Sequence, residues 1–202
     1  MYIPKQFQMN DKQMIFDFMK EFSFATVISQ ANGQMTASHL PLVLKQEENA
    51  LYGHFARVNK QWKGLDGQPV LAIFHGPHSY ISPSWYETKV AVPTWNYTAV
   101  HVNGILEIIE DEQIIAQCLH ELVNKYEKQN SSYRYDEVDS QYLEGLKKGI
   151  VAFKINIETI EGKAKLSQNH HKERQQLVIE QLKKSNDCDD LAIAKLMEQN
   201  LK

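Results

Sequence analysis

The residues best equipped for chemistry lie in the stretch VPTWNYTAVH, Val92 to His101. Read as a β-strand, it sets Val92, Thr94, Asn96, Thr98 and Val100 on one side and Pro93, Trp95, Tyr97, Ala99 and His101 on the other. An ordinary half-buried strand shows aliphatics on one face and charges on the other. Here one face carries three hydrogen-bonding side chains in a row, and the other carries two amphipathic aromatics and an imidazole. Such faces suit a flat heteroaromatic ligand that stacks on or slots beside Trp85, Trp95 or Tyr97 while its polar rim meets Thr94, Asn96 and backbone groups. A phosphate on the same ligand needs donors, and Arg57, flanked by His54 and Asn59 at a strand end, supplies them. An aromatic-rich barrel core accounts for the same spacing, so both readings stay open.

Other chemistries find less support. His39, His54, His75, His78 and His101 fall in predicted strands or their connections, where imidazole can ligate metal, bind an anion or cap a backbone group. The pair in His75-Gly-Pro-His78 is not a helical metal pair, because Gly and Pro break the helix it would need. No HExxH or facial-triad spacing occurs, so no metal site is expected. There is no GxSxG elbow, P-loop or GxGxxG, and no catalytic residue is assigned. The Asp189-Asp190 doublet reads as favourable charge at a helix N-terminus.

The elements that must position these residues begin with a helix. Asn10 is its predicted cap, Gln13 completes a capping box, and Met9 with Met14 forms a hydrophobic staple. Two β-rich runs then flank Asn32-Gly33, a strong signal for a type I′ hairpin. A strand from Leu51 to Arg57 precedes a helical turn in KQWKGLDG, and Pro69 to His75 reads as a strand covered on both faces. GPHSYISPSWYE, punctuated by Pro77 and Pro83, reads as a strand broken by turns. The strand of the opening stretch continues through Gly104 to ILEII at 105–109. Many strands joined by short loops indicate an antiparallel barrel rather than a parallel α/β sheet.

The second half changes period. Asp111 to Lys128 is an amphipathic helix with Ile115, Cys118, Leu119, Leu122 and Tyr126 on one stripe. A short helix from Tyr142 to Lys148, a strand from Gly149 that would close the sheet, and two helices, Asn169 to Lys184 and Asp187 to Leu201, complete the chain.

Composition bounds the protein class. The 202 residues are 43% hydrophobic and 23% charged, with no apolar run near the roughly 20 residues a membrane helix requires. The N-terminus lacks the apolar centre of a secretory signal, and Cys118 and Cys188 stand apart without CxxC or Cys-His neighbours. A cytoplasmic protein without disulfides is expected. A formal net charge of −3 gives no global pull toward nucleic acid, and no zinc finger, basic zipper or RNP-like run is present.

Six segments together resemble one known family: MYIPKQF at the start, ASHLPL at 37–42, GHFARVNKQW at 53–62, FHGPHSYISPSWY at 74–86, VPTWNYTAVHVNG at 92–104 and GKAKLSQN at 162–169. They are similar to the PaiB family of FMN-binding negative transcriptional regulators, which repress protease synthesis and sporulation. The resemblance implies a mainly β, antiparallel FMN-binding split barrel of the pyridoxine phosphate oxidase-like kind, with peripheral and C-terminal helices. It further implies a homodimer with FMN at the subunit interface. Residues 1–162 would form the barrel domain and 163–202 a C-terminal helical extension. By analogy with related split barrels, Ser38, His39, His54, Arg57 and Asn59 would contact the FMN phosphate. Ile81, Ser82, Thr94, Trp95 and Asn96 would meet the ring, and Lys165, Ser167 and Gln168 would approach from the partner subunit. Superfamily oxidases tend to carry Arg on the second strand, where ASHLPL offers hydroxyl and imidazole. A flavin-dependent regulator, a small flavin reductase and a haem-binding split barrel remain alternatives at this point, with DNA or another regulator as a further partner of the first.

Overall fold

The computed structural model describes residues 1–31, 33–128 and 130–201. The chain runs through β1 (Gln8–Met9), α1 (Lys12–Glu21), β2 (Phe24–Ala31), β3 (Gln34–Pro41), β4 (Val43–Lys45) and β5 (Ala50–Ala56). Next come β6 (Gln68–Ile81), β7 (Thr94–Ile109), α2 (Glu112–Tyr126), α3 (Ser140–Lys147), β8 (Ile150–Lys165), α4 (Lys172–Leu182) and α5 (Cys188–Leu201). Single 3-10 turns lie at Lys5–Phe7, Lys60–Trp62, Pro83–Trp85 and Tyr135–Glu137.

Among the described residues the strands form one sheet in the order β3-β2-β6-β7-β8-β5-β4, with β1 also paired to β8. The registered pairs are antiparallel, as expected. The sheet is not closed. β8 was expected to close it, but this strand is central, lying between β7 and β5, and the pairing ends at β3 and the three-residue β4.

Local rules explain most element boundaries. Ala31 pairs with Gln34, which fixes a two-residue hairpin loop, and Gly33 takes φ 76°, the positive value such a turn requires. Asn32, the other half of the predicted turn, lies outside the described residues. The cap of α1 is Asp11 rather than Asn10: its carboxylate accepts from the Gln13 and Met14 amides at 2.8 and 3.3 Å. Met14 is 55% exposed and therefore does not staple to the buried Met9. Asp111 caps α2 by accepting from the Gln113 and Ile114 amides, and Cys118 and Leu122 are buried on the predicted stripe.

The segment expected to break at Pro77 does not. β6 continues through Gly76 and Pro77 to Ile81. Its pairing with β2 ends at Ile73, so the missing N–H of Pro77 costs nothing on that side.

The chain divides into two compact units. The first comprises Met1–Phe18, His75–Val100 and Glu161–Lys202, and the second Met19–Phe74 and His101–Ile160. In the first, Val178, Ile179 and Leu182 of α4 and Ile193, Ala194 and Met197 of α5 bury themselves against Ile81 and Leu166. Each large side chain contributes about 1.5–3 kcal/mol by leaving water. In the second, β2 pairs with β3 and β6, and β5 pairs with β4 and β8 around Phe55 and Phe153, whose rings lie 4.7 Å apart.

Candidate functional site

The polar face of β7 points inward. Asn96 is fully buried in the first unit, where its amide donates to the Ser167 hydroxyl at 2.9 Å and to the Met197 sulfur at 3.4 Å. Ser167 returns a bond to Asn96 Oδ1 at 3.2 Å and holds φ at 64°. Thr98 is buried beside Gly76, where a Cβ would stand 2.2 Å from its hydroxyl oxygen. That oxygen has no hydrogen-bond partner among the described residues.

The alternate face opens outward at Trp95, while Ala99 further along it is buried. Trp95 is 51% exposed, with the His78 ring 6.0 Å away and the Tyr80 ring meeting it edge-on at 5.8 Å. His78 is oriented by Asp189, whose Oδ2 lies 3.0 Å from Nδ1, while the buried Ser79 donates to Asp190. The acidic doublet at the start of α5 therefore holds β6 in addition to favouring the helix terminus. Beside Trp95, the Lys165 ammonium donates to Thr94 Oγ1 at 2.6 Å and to the Trp95 carbonyl oxygen. Burial pushes its pKa down, and the neighbouring Lys163 adds to this. Lys163 itself is buried, donates to the Tyr2 carbonyl at 3.1 Å and lies over the Tyr2 and Tyr97 rings.

The other expected residues of this unit have local partners. Ile81 is fully buried against α4 and α5. Ser82 caps the Pro83–Trp85 turn, accepting from the Ser84 amide at 3.2 Å. Gln168 braces its loop by accepting from the Leu166 amide and donating to the Ala164 carbonyl, both at 2.6 Å.

The second unit holds the remaining set, organised around a residue the sequence did not single out. Gln61 is 6% exposed, and its amide donates to the Val27 carbonyl, the Ser29 hydroxyl and the Thr36 carbonyl at 3.0, 3.0 and 3.1 Å. Its own oxygen accepts from Ser38, whose hydroxyl also accepts from Asn59 at 2.8 Å. Asn59 caps the Lys60–Trp62 turn through the Gln61 amide. His39 Nδ1 lies 3.0 Å from Thr26 Oγ1.

Arg57 donates from Nε to the Lys148 carbonyl and from Nη2 to the Ile150 carbonyl, both at 2.6 Å, and so clamps the entry to β8. His54, whose pKa burial pushes down, lines an apolar cavity with Pro41 and Ile150. Among the described residues no cluster of three His, Cys, Asp or Glu is placed to hold a metal ion.

An exposed indole flanked by imidazole and phenol, with an ammonium and a hydroxyl at the same strand end, has the chemistry that a flavin ring and its electron-rich edge require. The donor set fits such a group. Comparison with known proteins agrees with this chemistry. The profile of the FMN-binding domain family matches residues 1–159. The chain is 41% identical to protease synthase and sporulation protein PAI 2 of Bacillus subtilis, over 100% of this chain and 99% of that one. Among solved structures, it is similar to the flavocytochrome Anf3 of Azotobacter vinelandii, with a TM-score of 0.63, 14% identity and coverage of 81% of this chain and 72% of the other. It is also similar to the FAD and heme binding protein of Mycobacterium smegmatis, with a TM-score of 0.58, 14% identity and coverage of 78% and 73%. The fold is the expected split-barrel type, and the chain belongs to the FMN-binding domain family, that of the PaiB proteins. FMN is the cofactor of that family.

Proposed function

We propose that this chain is an FMN-binding negative regulator of transcription, acting in the cytoplasm as a homodimer with flavin at the subunit interface. The observation that carries the reading is its 41% identity to the Bacillus protein along the whole of this chain and 99% of the relative. Thr94 and Trp95 would receive the ring, with Lys165 set against its electron-rich edge, and Ile81, Ser82 and Asn96 would shape that region; Lys165 and Ser167, expected with Gln168 to approach from the partner subunit, bond to Thr94 and Asn96 of their own chain. Ser38, His39, Arg57 and Asn59 would supply the phosphate donors, and His54, expected as the fifth of them, is assigned to the apolar cavity that it lines. When bound, the flavin supplies reversible electron uptake. The protein residues bind it, orient it and tie its presence to the subunit interface. Residues 1–162 would carry this function, with 163–202 supporting the ring side.

The decisive experiment is an absorption spectrum after incubation with FMN and removal of the excess, read alongside the molecular mass in solution. Retained flavin bands on a dimer are expected. A featureless spectrum would sink cofactor binding, and an intense band near about 400 nm in the purified protein would point to haem instead. Gel shifts on promoter DNA over a salt series then test direct operator contact, because nonspecific phosphate binding fades as salt rises.

A further inference from the structure

The second unit contains a cavity of about 520 Å³ under α2 and α3, a size typical of small-molecule sites. Leu119, Leu122 and Val123 of α2, Leu143 and Leu146 of α3 and Ile150 of β8 give it apolar walls. Tyr126, Tyr133 and Tyr135 also border it. The Tyr126 hydroxyl is committed to Ser23 at 2.6 Å, and the Tyr135 ring packs on His120 at 5.4 Å. Its polar lining includes one imidazole, His54, which makes no side-chain hydrogen bond among the described residues. Glu127 is its one charged lining residue among the described residues, and neither Lys nor Arg lines it.

We propose that this cavity is a second ligand site, separate from the flavin site, for an uncharged apolar molecule carrying one hydrogen-bonding group. Three observations carry the choice of ligand. The walls offer aliphatic and aromatic area, which rewards an apolar body. The described lining residues offer a single carboxylate and neither Lys nor Arg to pair with a phosphate or carboxylate, which argues against FMN and fatty acids alike. The unengaged His54 imidazole offers a donor and an acceptor to one hydroxyl or carbonyl of the ligand. Half of the lining residues come from α2 and α3, helices outside the strands, so occupancy would order that face of the unit.

The test uses N-phenyl-1-naphthylamine, an uncharged apolar fluorophore, with its partition onto the full chain measured by equilibrium dialysis in the absence and presence of FMN. Saturable uptake of one probe per chain is expected, indifferent to FMN, and the sulfonated analogue 8-anilinonaphthalene-1-sulfonate should bind about tenfold more weakly or worse. Leu146→Trp, which fills the cavity from α3, should lower probe affinity by about tenfold while flavin uptake stays unchanged. Leu143→Phe is a smaller filling change that keeps the test open should the first variant fail to fold. The proposal is overturned if uptake does not saturate, if the charged analogue binds equally well, or if FMN displaces the probe. It is also overturned if both folded variants retain full affinity, or if uptake vanishes as copies of the chain associate.

Discussion

Arg57 has one role visible in its contacts and a second that the proposed function assigns to it, and replacing it with alanine separates them. Its Nε and Nη2 donate to two carbonyls at the entry to β8, each at 2.6 Å. Bonds to a charged group contribute about 1.5–3 kcal/mol each when sheltered, but Arg57 is exposed, so the pair together is worth about 1–2 kcal/mol. Arg57→Ala should therefore lower the melting temperature by about 2–8 °C in a chain of this size. If the remaining guanidinium donors hold the FMN phosphate, the variant loses a further 1.5–3 kcal/mol, roughly 10–150-fold, in FMN affinity. Riboflavin, which has the ring and lacks the phosphate, should lose less than about threefold. Arg57→Lys should fall between, since it keeps the charge and loses the planar fork. The assay is titration of each flavin with its fluorescence as the signal, on variants shown to be folded at the assay temperature. Equal losses for both flavins would refute the phosphate role and leave Arg57 as a clamp on β8.

Three further outcomes follow from the packing. Gln61→Ala removes two N–H donors shared among Val27, Ser29 and Thr36 and one accepted bond from Ser38, and should cost about 2–4 kcal/mol, seen as a lower urea midpoint. Gly76→Ala sets a Cβ 2.2 Å from the Thr98 hydroxyl and 2.6 Å from the Phe18 ring, so it should destabilise by about 1–3 kcal/mol in the same measurement. Glu87 is bonded by the Arg174 guanidinium, which holds its carboxyl at about 2 against an ordinary 4.5. Its contribution is thus full above 4.5 and lost as the pH falls toward 2. The gap in urea midpoint between the native chain and Glu87→Gln should be constant near neutral pH and close across that acid window.

The hairpin, the start of α2 and the 3-10 turn after Asn59 were legible in the sequence because each rests on short-range rules. The buried stripe of α2 was legible through its period. Less was visible where a local signal competed with pairing. Pro77 reads as a breaker, yet β6 runs on, and once that is known the alternation of exposed His78 and Tyr80 with buried Ser79 and Ile81 places both rings beside Trp95. The inward turn of the β7 polar face depends on Ser167 and Met197, 71 and 101 residues from Asn96, and no local pattern carries that information. Gln61 was invisible for a similar reason. A glutamine in a polar turn gives no sign that it will reach across to Val27, Ser29 and Thr36.

The central position of β8 constrains how the protein is made. During synthesis β2 and β3 can zip together as soon as their hairpin emerges, but the edge of β5 that will face β8 must wait for residues 150–156, about a hundred positions later in the chain. Until then the nascent polypeptide presents a strand of Ala50–Ala56 with an open hydrogen-bonding row and the unburied Phe55 side chain. A chain stalled or truncated before Ile150 would keep that edge available to neighbouring chains. Refolding from denaturant should be slow for the same reason, since it must close a loop of about a hundred residues between β5 and β8.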